Sequence, residues 1–309
     1  MLVTQPEMPS GPAALLLFAP TEFKVETLHL SVNFKQGPQT LTMSLSLLLW
    51  LLGLCHTCLL IDGGNQTEPE YYDNELDSIG ARILTANSMA SEILIEGDIL
   101  QTRTRIPRNA KCRDNCLWRK ASSGLVLIPY TMSNKFSRSD QDEISRAMKS
   151  FHNRTCIRFI HQNTREHKDY ISIKNRDGCY SSVGRSGGRQ ILSLNRTGCI
   201  SYGIIQHELI HALGFHHEQS RSDRDQYVII NVDNIKPGKT NNFQKRDTHN
   251  LNTPYDYSSI MHYGKHYFSQ NGKNTITPIP DASVQIGQRK DMSELDIHRI
   301  NLLYHCHRP

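Results

Sequence analysis

HELIHALGFHH, residues 207–217, is the stretch of this 309-residue chain that decides its fold and chemistry. Residues four apart lie on one face of a helix, so His207 and His211 can direct two imidazoles at one point. Gly214 can adopt a left-handed conformation without steric cost, which ends the helix and lets His217 reach the same point. Three imidazoles leave a zinc ion one position for water, as in catalytic rather than structural zinc sites.

The residue after the first histidine is expected to supply the base. Zinc lowers the pKa of bound water from about 15.7 towards about 7, so a neighbouring carboxylate can take its proton at neutral pH. Glu208 is placed for this role without being a ligand. His216 matches no ligand position, and we predict a surface or supporting role for it. A bare His-Glu-x-x-His occurs by chance on ordinary helices, whereas the form extended by Gly214 and His217 is far more specific.

Two downstream segments narrow the class. Residues 218–225 read EQSRSDRD, and residues 259–263 read SIMHY. With the long zinc motif, both resemble the astacin family of zinc endopeptidases, a branch of the metzincins. In that family the methionine forms an apolar floor beneath the metal, and the tyrosine is a switchable ligand that turns to stabilise the oxyanion. The resemblance places these roles on Met261 and Tyr263, whereas His262 is expected to pack or hydrogen-bond.

The resemblance covers about residues 109–306 and implies a metzincin, zincin-like α+β catalytic domain. Its upper lobe would hold a mixed sheet and two long helices, its lower lobe would be irregular, and zinc would lie in the cleft. The apolar pattern predicts a strand over 124–130 that Pro129 ends. It then predicts a helix capped by Ser139, with these apolar residues at helical spacing: Ile144, Ala147, Met148 and Phe151. It also predicts strands at 157–160 and 170–173, the zinc helix at about 202–213, and a last helix around 295–303.

The N-terminal part is predicted to be a series of removable segments. Residues 1–42 carry no periodic pattern, and we interpret them as an unstructured upstream extension before a start at Met43. The apolar run that begins there is shorter than the roughly 20 residues of a membrane-spanning helix, so residues 43–60 are assigned to a signal peptide. A signal anchor is the alternative, which His56 and Thr57 disfavour. We expect a secreted, extracellular protein with no stable membrane insertion.

Residues 61–108 are polar and end in a basic run, which predicts a pro-segment that a trypsin-like protease removes after Arg108. Residues 109–309 would then form the peptidase domain. Glu96-Gly97-Asp98 is similar to the family's inhibitory motif, whose aspartate takes the water position on zinc. A Gly-Asp pair is usually only a turn, but this one precedes a basic cleavage site. The resemblance also implies that Glu218 contacts the new N-terminus through water.

Six cysteines remain once Cys55 and Cys58 of the signal region are set aside, and an even number in a secreted chain predicts disulfides. Sequence alone does not choose among their pairings. The resemblance implies Cys156–Cys306 and Cys179–Cys199, leaving Cys112 to pair with Cys116. That last pair, with the residues around it, resembles the six-cysteine fish group of the family that includes the choriolysin-like hatching enzymes.

The formal net charge of +5 is mild for this length, and the basic residues are spread along the chain, which argues against a nucleic-acid partner. We expect a secreted endopeptidase with one Zn²⁺ per chain, made as a zymogen and acting on egg-envelope proteins. One alternative is an astacin-type protease of another tissue. Another is a zinc-stabilised adhesion module, which predicts loss of Glu208 or of a ligand, and none is lost. Three sequons offer glycosylation sites, at Asn65, Asn153 and Asn195.

Overall fold

The computed structural model describes residues 73–101 and 116–306, and side chains from Gly80 onwards. The predicted upstream extension and signal peptide lie outside these residues. So do the cleavage point after Arg108 and the cysteine at position 112. Within the described ranges, no helix has the length and apolar character that crossing a membrane requires.

A seven-stranded mixed sheet forms the upper lobe, in the strand order β1-β2-β6-β7-β5-β3-β4. Strands β3, β4, β5 and β7 run parallel to one another, whereas β6 is antiparallel to β7. The hairpin β1-β2 comes from the predicted pro-segment and extends the sheet, because β2 pairs in parallel with β6. The strands are β1 Leu94–Ile95, β2 Ile99–Leu100, β3 Val126–Met132, β4 Ile157–His161, β5 Tyr170–Lys174, β6 Cys179–Ser181 and β7 Arg189–Leu194.

Pro129 does not end its strand as predicted, since β3 continues to Met132. Val126 donates its N–H to Cys156 and Tyr130 accepts from Gln162, so alternate residues of β3 bond towards β4. Pro129 lies between them and turns its nitrogen towards β5, whose pairing with β3 begins only at Tyr130. The proline therefore costs the sheet no hydrogen bond.

The helices among the described residues are α1 Asp73–Asn87, α2 Arg138–Arg154, α3 Tyr202–Ala212 and α4 Glu294–Leu303. The predicted cap of α2 was wrong by two residues. Ser137 is the N-cap: its hydroxyl accepts the Asp140 N–H at 3.2 Å and its own N–H donates to the Asp140 carboxylate at 2.7 Å. Ser139 already lies inside the first turn. The predicted apolar face is confirmed, and its members are buried: Ile144, Ala147, Met148 and Phe151.

The predicted α+β zincin fold is confirmed. Helices α2 and α3 share one apolar core with the sheet, and α3 is buried from Gly203 to Ala212. The lower lobe has its own smaller core, short 3₁₀ turns and a two-stranded sheet, β8 Val228–Ile230 with β9 Ile276–Pro278. The predicted last helix is α4.

Two disulfides cross-link residues within the described range 116–306. Cys156 bonds to Cys306 and Cys179 bonds to Cys199, the two pairs that the family resemblance implied. Cys116 is also disulfide-bonded, and position 112 lies outside the described residues.

Candidate metal centre and active site

Three buried histidines converge between the two lobes. His207 and His211 lie on successive turns of α3, and His217 follows the turn at Gly214, whose φ is +111°. The ring centroids of the three histidines are 4.7 to 5.2 Å apart. Each side chain is essentially inaccessible to solvent. The structure therefore brings together the three ligands that the spacing predicts.

The outer nitrogen of each imidazole is held by an oxygen. His207 Nδ1 donates to the Ile260 carbonyl at 2.9 Å, and His211 Nδ1 donates to the Phe215 carbonyl at 2.8 Å. His217 Nδ1 donates to a Glu96 carboxylate oxygen at 3.1 Å. With the proton fixed on Nδ1, each Nε2 presents a lone pair to the common centre, as in proteins whose histidines bind a metal.

Asp98 completes this group. Its carboxylate oxygens lie 3.1 Å from His207 Nε2, 3.4 Å from His211 Nε2 and 3.2 Å from His217 Nε2. Burial alone would raise the pKa of Asp98, but the three histidines lower it well below its usual value. Although burial lowers it, Asp98 and Glu96 raise the pKa of His217 to about 9, so this group needs positive charge beside its carboxylates. One divalent metal ion satisfies that need, and the four ligand atoms lie within 4.8 Å of one another.

Burial shifts the pKa values of two of the histidines and of Glu208. It lowers the pKa of His207 well below its usual value and lowers that of His211, which favours the neutral imidazole that binds metal. Glu208 is fully buried beside them, and neither of its oxygens has a hydrogen-bond partner among the described residues. Burial, and then the charge of Asp98, raises the pKa of Glu208 well above its usual value. Such an unpaired buried carboxyl is a marker of function rather than stability.

The segment SIMHY, residues 259–263, contacts two of the three histidines. Tyr263 packs its ring on His217, with centroids 4.7 Å apart, and its hydroxyl donates to the Glu96 carbonyl oxygen. Met261 is buried, and its carbonyl accepts the Glu218 N–H at 3.0 Å. His262 hydrogen-bonds to Tyr255 and packs as expected, and burial lowers its pKa to about 4.

Glu218 is tied into a buried ionic network. Its carboxylate accepts from Arg299 at 2.7 and 3.0 Å, from Arg221 at 3.2 Å and from the Asp256 N–H at 2.7 Å. The residues that would form a new N-terminus after Arg108 lie outside the described part of the chain. A contact between that N-terminus and Glu218 stays a prediction.

Sequence reasoning missed the role of Glu96. Its carboxylate accepts from His216 and His217, and forms an ion pair with Arg246. The signal was within the quoted Glu-Gly-Asp motif, but its partners Arg246 and His216 lie far along the chain. No local pattern connects them.

The site has two histidines on a helix, a third after the turn that follows it, and a buried glutamate. In a zincin fold this combination defines a metalloendopeptidase. The model of the Astacin family of peptidases matches residues 115–305. The chain belongs to this family, whose members are zinc-dependent peptidases.

The chain is also similar to fish enzymes of this family. It is 51% identical to high choriolytic enzyme 1 of Oryzias latipes, a match covering 84% of this chain and 96% of that protein. It is 45% identical to the low choriolytic enzyme of the same fish, over 85% of this chain and 97% of that protein. The solved structure of high choriolytic enzyme 1, described as a hatching enzyme zinc-protease, aligns with a TM-score of 0.62 and 56% identity. That alignment covers 64% of this chain and 99% of the solved chain.

Proposed function

We propose that this protein is a secreted zinc endopeptidase, made as a zymogen, that hydrolyses egg-envelope proteins in the manner of a hatching enzyme. The observation that carries the zymogen proposal is the position of Asp98 among the three histidines, with all four side chains buried. Similarity to choriolytic enzymes supports the substrate class.

In the active form, His207, His211 and His217 would hold the zinc ion. When bound, zinc supplies a Lewis acid that polarises the scissile carbonyl and makes water acidic. Glu208 would accept the proton of the attacking water and pass it to the leaving amine. Its oxygens have no hydrogen-bond partner among the described residues, which suits that exchange.

Tyr263 would stabilise the oxyanion. In this structure its hydroxyl is occupied by the Glu96 carbonyl, so departure of the pro-segment would free it to donate elsewhere. Met261 would form the apolar floor beneath the metal. The carbonyl of its neighbour Ile260 accepts a hydrogen bond from His207 Nδ1 and so orients that ring. Glu218 would receive the new N-terminus.

The pro-segment would block catalysis in two ways. Asp98, which lies 3.1 Å from His207 Nε2, would take the position that the attacking water needs. Strand β2 pairs with β6 at Ile99 and Ser181 and would cover the sheet edge beside the site. A peptide substrate binding to a sheet edge by main-chain hydrogen bonds would compete with β2 for that edge. Cleavage by a trypsin-like protease after Arg108 would release both blocks.

The test is to express residues 43–309, treat the protein with trypsin, and measure digestion of egg envelope and casein with and without a chelator. We expect digestion of both substrates, abolished by chelator and restored by zinc, with one zinc per chain by elemental analysis. Digestion of casein but not of egg envelope would reject the hatching role. The alternative of an astacin-type protease of another tissue would then be favoured. Full activity in metal-free protein would reject the zinc mechanism.

Two variants test the roles of the carboxylates. Glu208→Gln is expected to lower kcat by at least about a hundredfold while zinc stays bound, because the amide cannot accept the proton. The matched control is Glu294→Gln, at a side chain that is 92% exposed, which should change nothing. If Glu208→Gln is as active as the parent, Glu208 is not the general base. Without trypsin treatment, the Asp98→Asn variant should show measurable casein hydrolysis, since a neutral amide is a weaker metal ligand. If that variant is as inactive as the untreated parent, Asp98 is not the inhibitory group.

A further inference from the structure

The side chain of Glu96 fills a polar pocket whose walls belong to the peptidase domain. Glu96 is fully buried. One carboxylate oxygen accepts from His216 Nδ1 at 3.1 Å and pairs with Arg246 Nε, and the other accepts from His217 Nδ1 at 3.1 Å. The pocket therefore recognises a carboxylate with three donors, two of which are not metal ligands.

The backbone of Glu96 has an unfavourable conformation. Glu96 has φ +49°, the left-handed region that side-chain-bearing residues rarely adopt, and Gly97 follows at +81°. A strained residue of this kind persists only where its surroundings fix it. Here the ionic contacts of the side chain, and the Tyr263 hydroxyl on the Glu96 carbonyl, fix it.

Arg246 and His216 lie outside the proposed pro-segment and would remain when that segment leaves. Arg246 is anchored by its own N–H, which donates to the Ser220 carbonyl at 2.7 Å. Glu96 is its only ion-pair partner among the described residues, and the Arg246 side chain is 30% exposed. His216 likewise has Glu96 as its side-chain partner and is 29% exposed. A guanidinium keeps its charge at physiological pH, so departure of Glu96 would leave Arg246 without an ion-pair partner among the described residues.

We propose that in the mature enzyme His216 and Arg246 form a subsite for an acidic side chain of the protein substrate. The proposal rests on the proposed function, since it requires a peptidase from which the pro-segment has departed. Glu96 touches the outer nitrogen of His217 while Asp98, two residues on, faces its inner nitrogen. The acidic residue of a substrate therefore lies within about two residues of the scissile bond, because the pocket adjoins a metal ligand.

The test uses trypsin-activated enzyme and quenched fluorescent peptides that carry Glu, Gln or Lys at one position at a time around the scissile bond. At one position we expect Glu to exceed Gln by about tenfold in kcat/KM, the discrimination that a site built for a polar group gives when it is partly exposed to solvent. The ratio of the Glu and Gln peptides cancels any loss common to both.

Arg246→Gln should bring that ratio close to one, and Arg246→Glu should favour the Lys peptide. The matched control is Lys245→Gln: Lys245 is the adjacent cation, 44% exposed, and pairs with Asp225 instead. Its ratio should equal that of the parent. A parent that shows no preference for Glu at any position, or an Arg246→Gln variant that keeps the preference, overturns the proposal.

A binding measurement gives the proposal a readout that needs no cleavage. A labelled peptide of residues 92–101 and its Glu96→Gln form are titrated onto activated Glu208→Gln protein and followed by fluorescence anisotropy. The Glu96 peptide should bind about tenfold more tightly, and Arg246→Gln in the protein should remove the difference. Equal binding of the two peptides overturns the subsite. An activated parent that digests neither casein nor any peptide rejects the proposed function instead.

Discussion

For the substitution Gly203→Ala, steric contact with the backbone at Arg289 and helix propensity predict opposite changes in stability. Gly203 is the second residue of α3, where alanine would favour the helix by at most about 1 kcal/mol. A Cβ placed on Gly203, however, would lie 1.8 Å from the Arg289 carbonyl oxygen and 2.3 Å from its carbonyl carbon. Ordinary contact begins near 3.4 Å, so the two backbones would have to separate by about 1.5 Å or more.

Neither backbone can move easily. Helix α3 carries His207 one turn later and is buried along its length, and Arg289 is itself buried and donates to the His262 carbonyl at 2.8 Å. Overpacking of this kind typically costs about 1–3 kcal/mol, and backbone on both sides places this case at the upper end. We expect Gly203→Ala to lower the free energy of unfolding by about 2 kcal/mol or more.

The assay is urea unfolding of the untreated, oxidised chain, followed by fluorescence. Trp118 is a suitable reporter, since it is buried and its indole N–H donates to the Ala212 carbonyl at the end of α3. The control is Gly198→Ala, where a Cβ would meet the Ala86 Cβ at 3.6 Å, an ordinary contact, and should shift stability by under about 0.5 kcal/mol. A Gly203→Ala protein as stable as its parent would refute the steric argument.

Two further predictions concern stability. Replacing both cysteines of Cys156–Cys306 by serine should cost about 5 kcal/mol because the bridge spans 150 residues, whereas Cys179–Cys199 spans 20 and should cost about 3 kcal/mol. Urea unfolding of the two double variants measures this difference, and equal losses would contradict the loop-length argument. Ser137→Ala should cost about 1 kcal/mol because it breaks the capping box of α2, and Ser139→Ala should cost little. Thermal unfolding compares them, and the reverse order would be evidence against the observed cap.

The sequence predicted what local geometry determines. The spacing of His207 and His211 requires only a helical turn, and the position of Gly214 requires only a residue that tolerates positive φ, so the site followed from one segment. The apolar face of α2 followed from its period of 3.6 residues. Its cap did not, because Ser137 and Ser139 each offer a hydroxyl with an aspartate three residues later, and only the structure shows that Ser137 closes the box, with Asp140.

The features that sequence did not yield all depend on distant partners. Pro129 was predicted to end a strand because the rule assumes pairing on both sides, whereas β3 pairs with β5 only from the next residue on. Glu96 and Arg246 are 150 positions apart, and nothing in either neighbourhood marks the other. The close approach of Gly203 to Arg289 likewise joins α3 to a loop, and a glycine near a helix start does not by itself indicate that another backbone lies against it.

The same distant contacts distinguish the third histidine from the other two. His207 and His211 donate their Nδ1 protons to the Ile260 and Phe215 carbonyls, which belong to the peptidase domain and stay in place. His217 is met at both nitrogens by the proposed pro-segment, by Glu96 on Nδ1 and by Asp98 on Nε2. Departure of one short turn therefore changes the entire polar environment of a single ligand. The partner of an imidazole's outer nitrogen sets its orientation and basicity. Removal of residues 96–98 would change that partner only for His217, whereas all three histidines would lose their contact with Asp98.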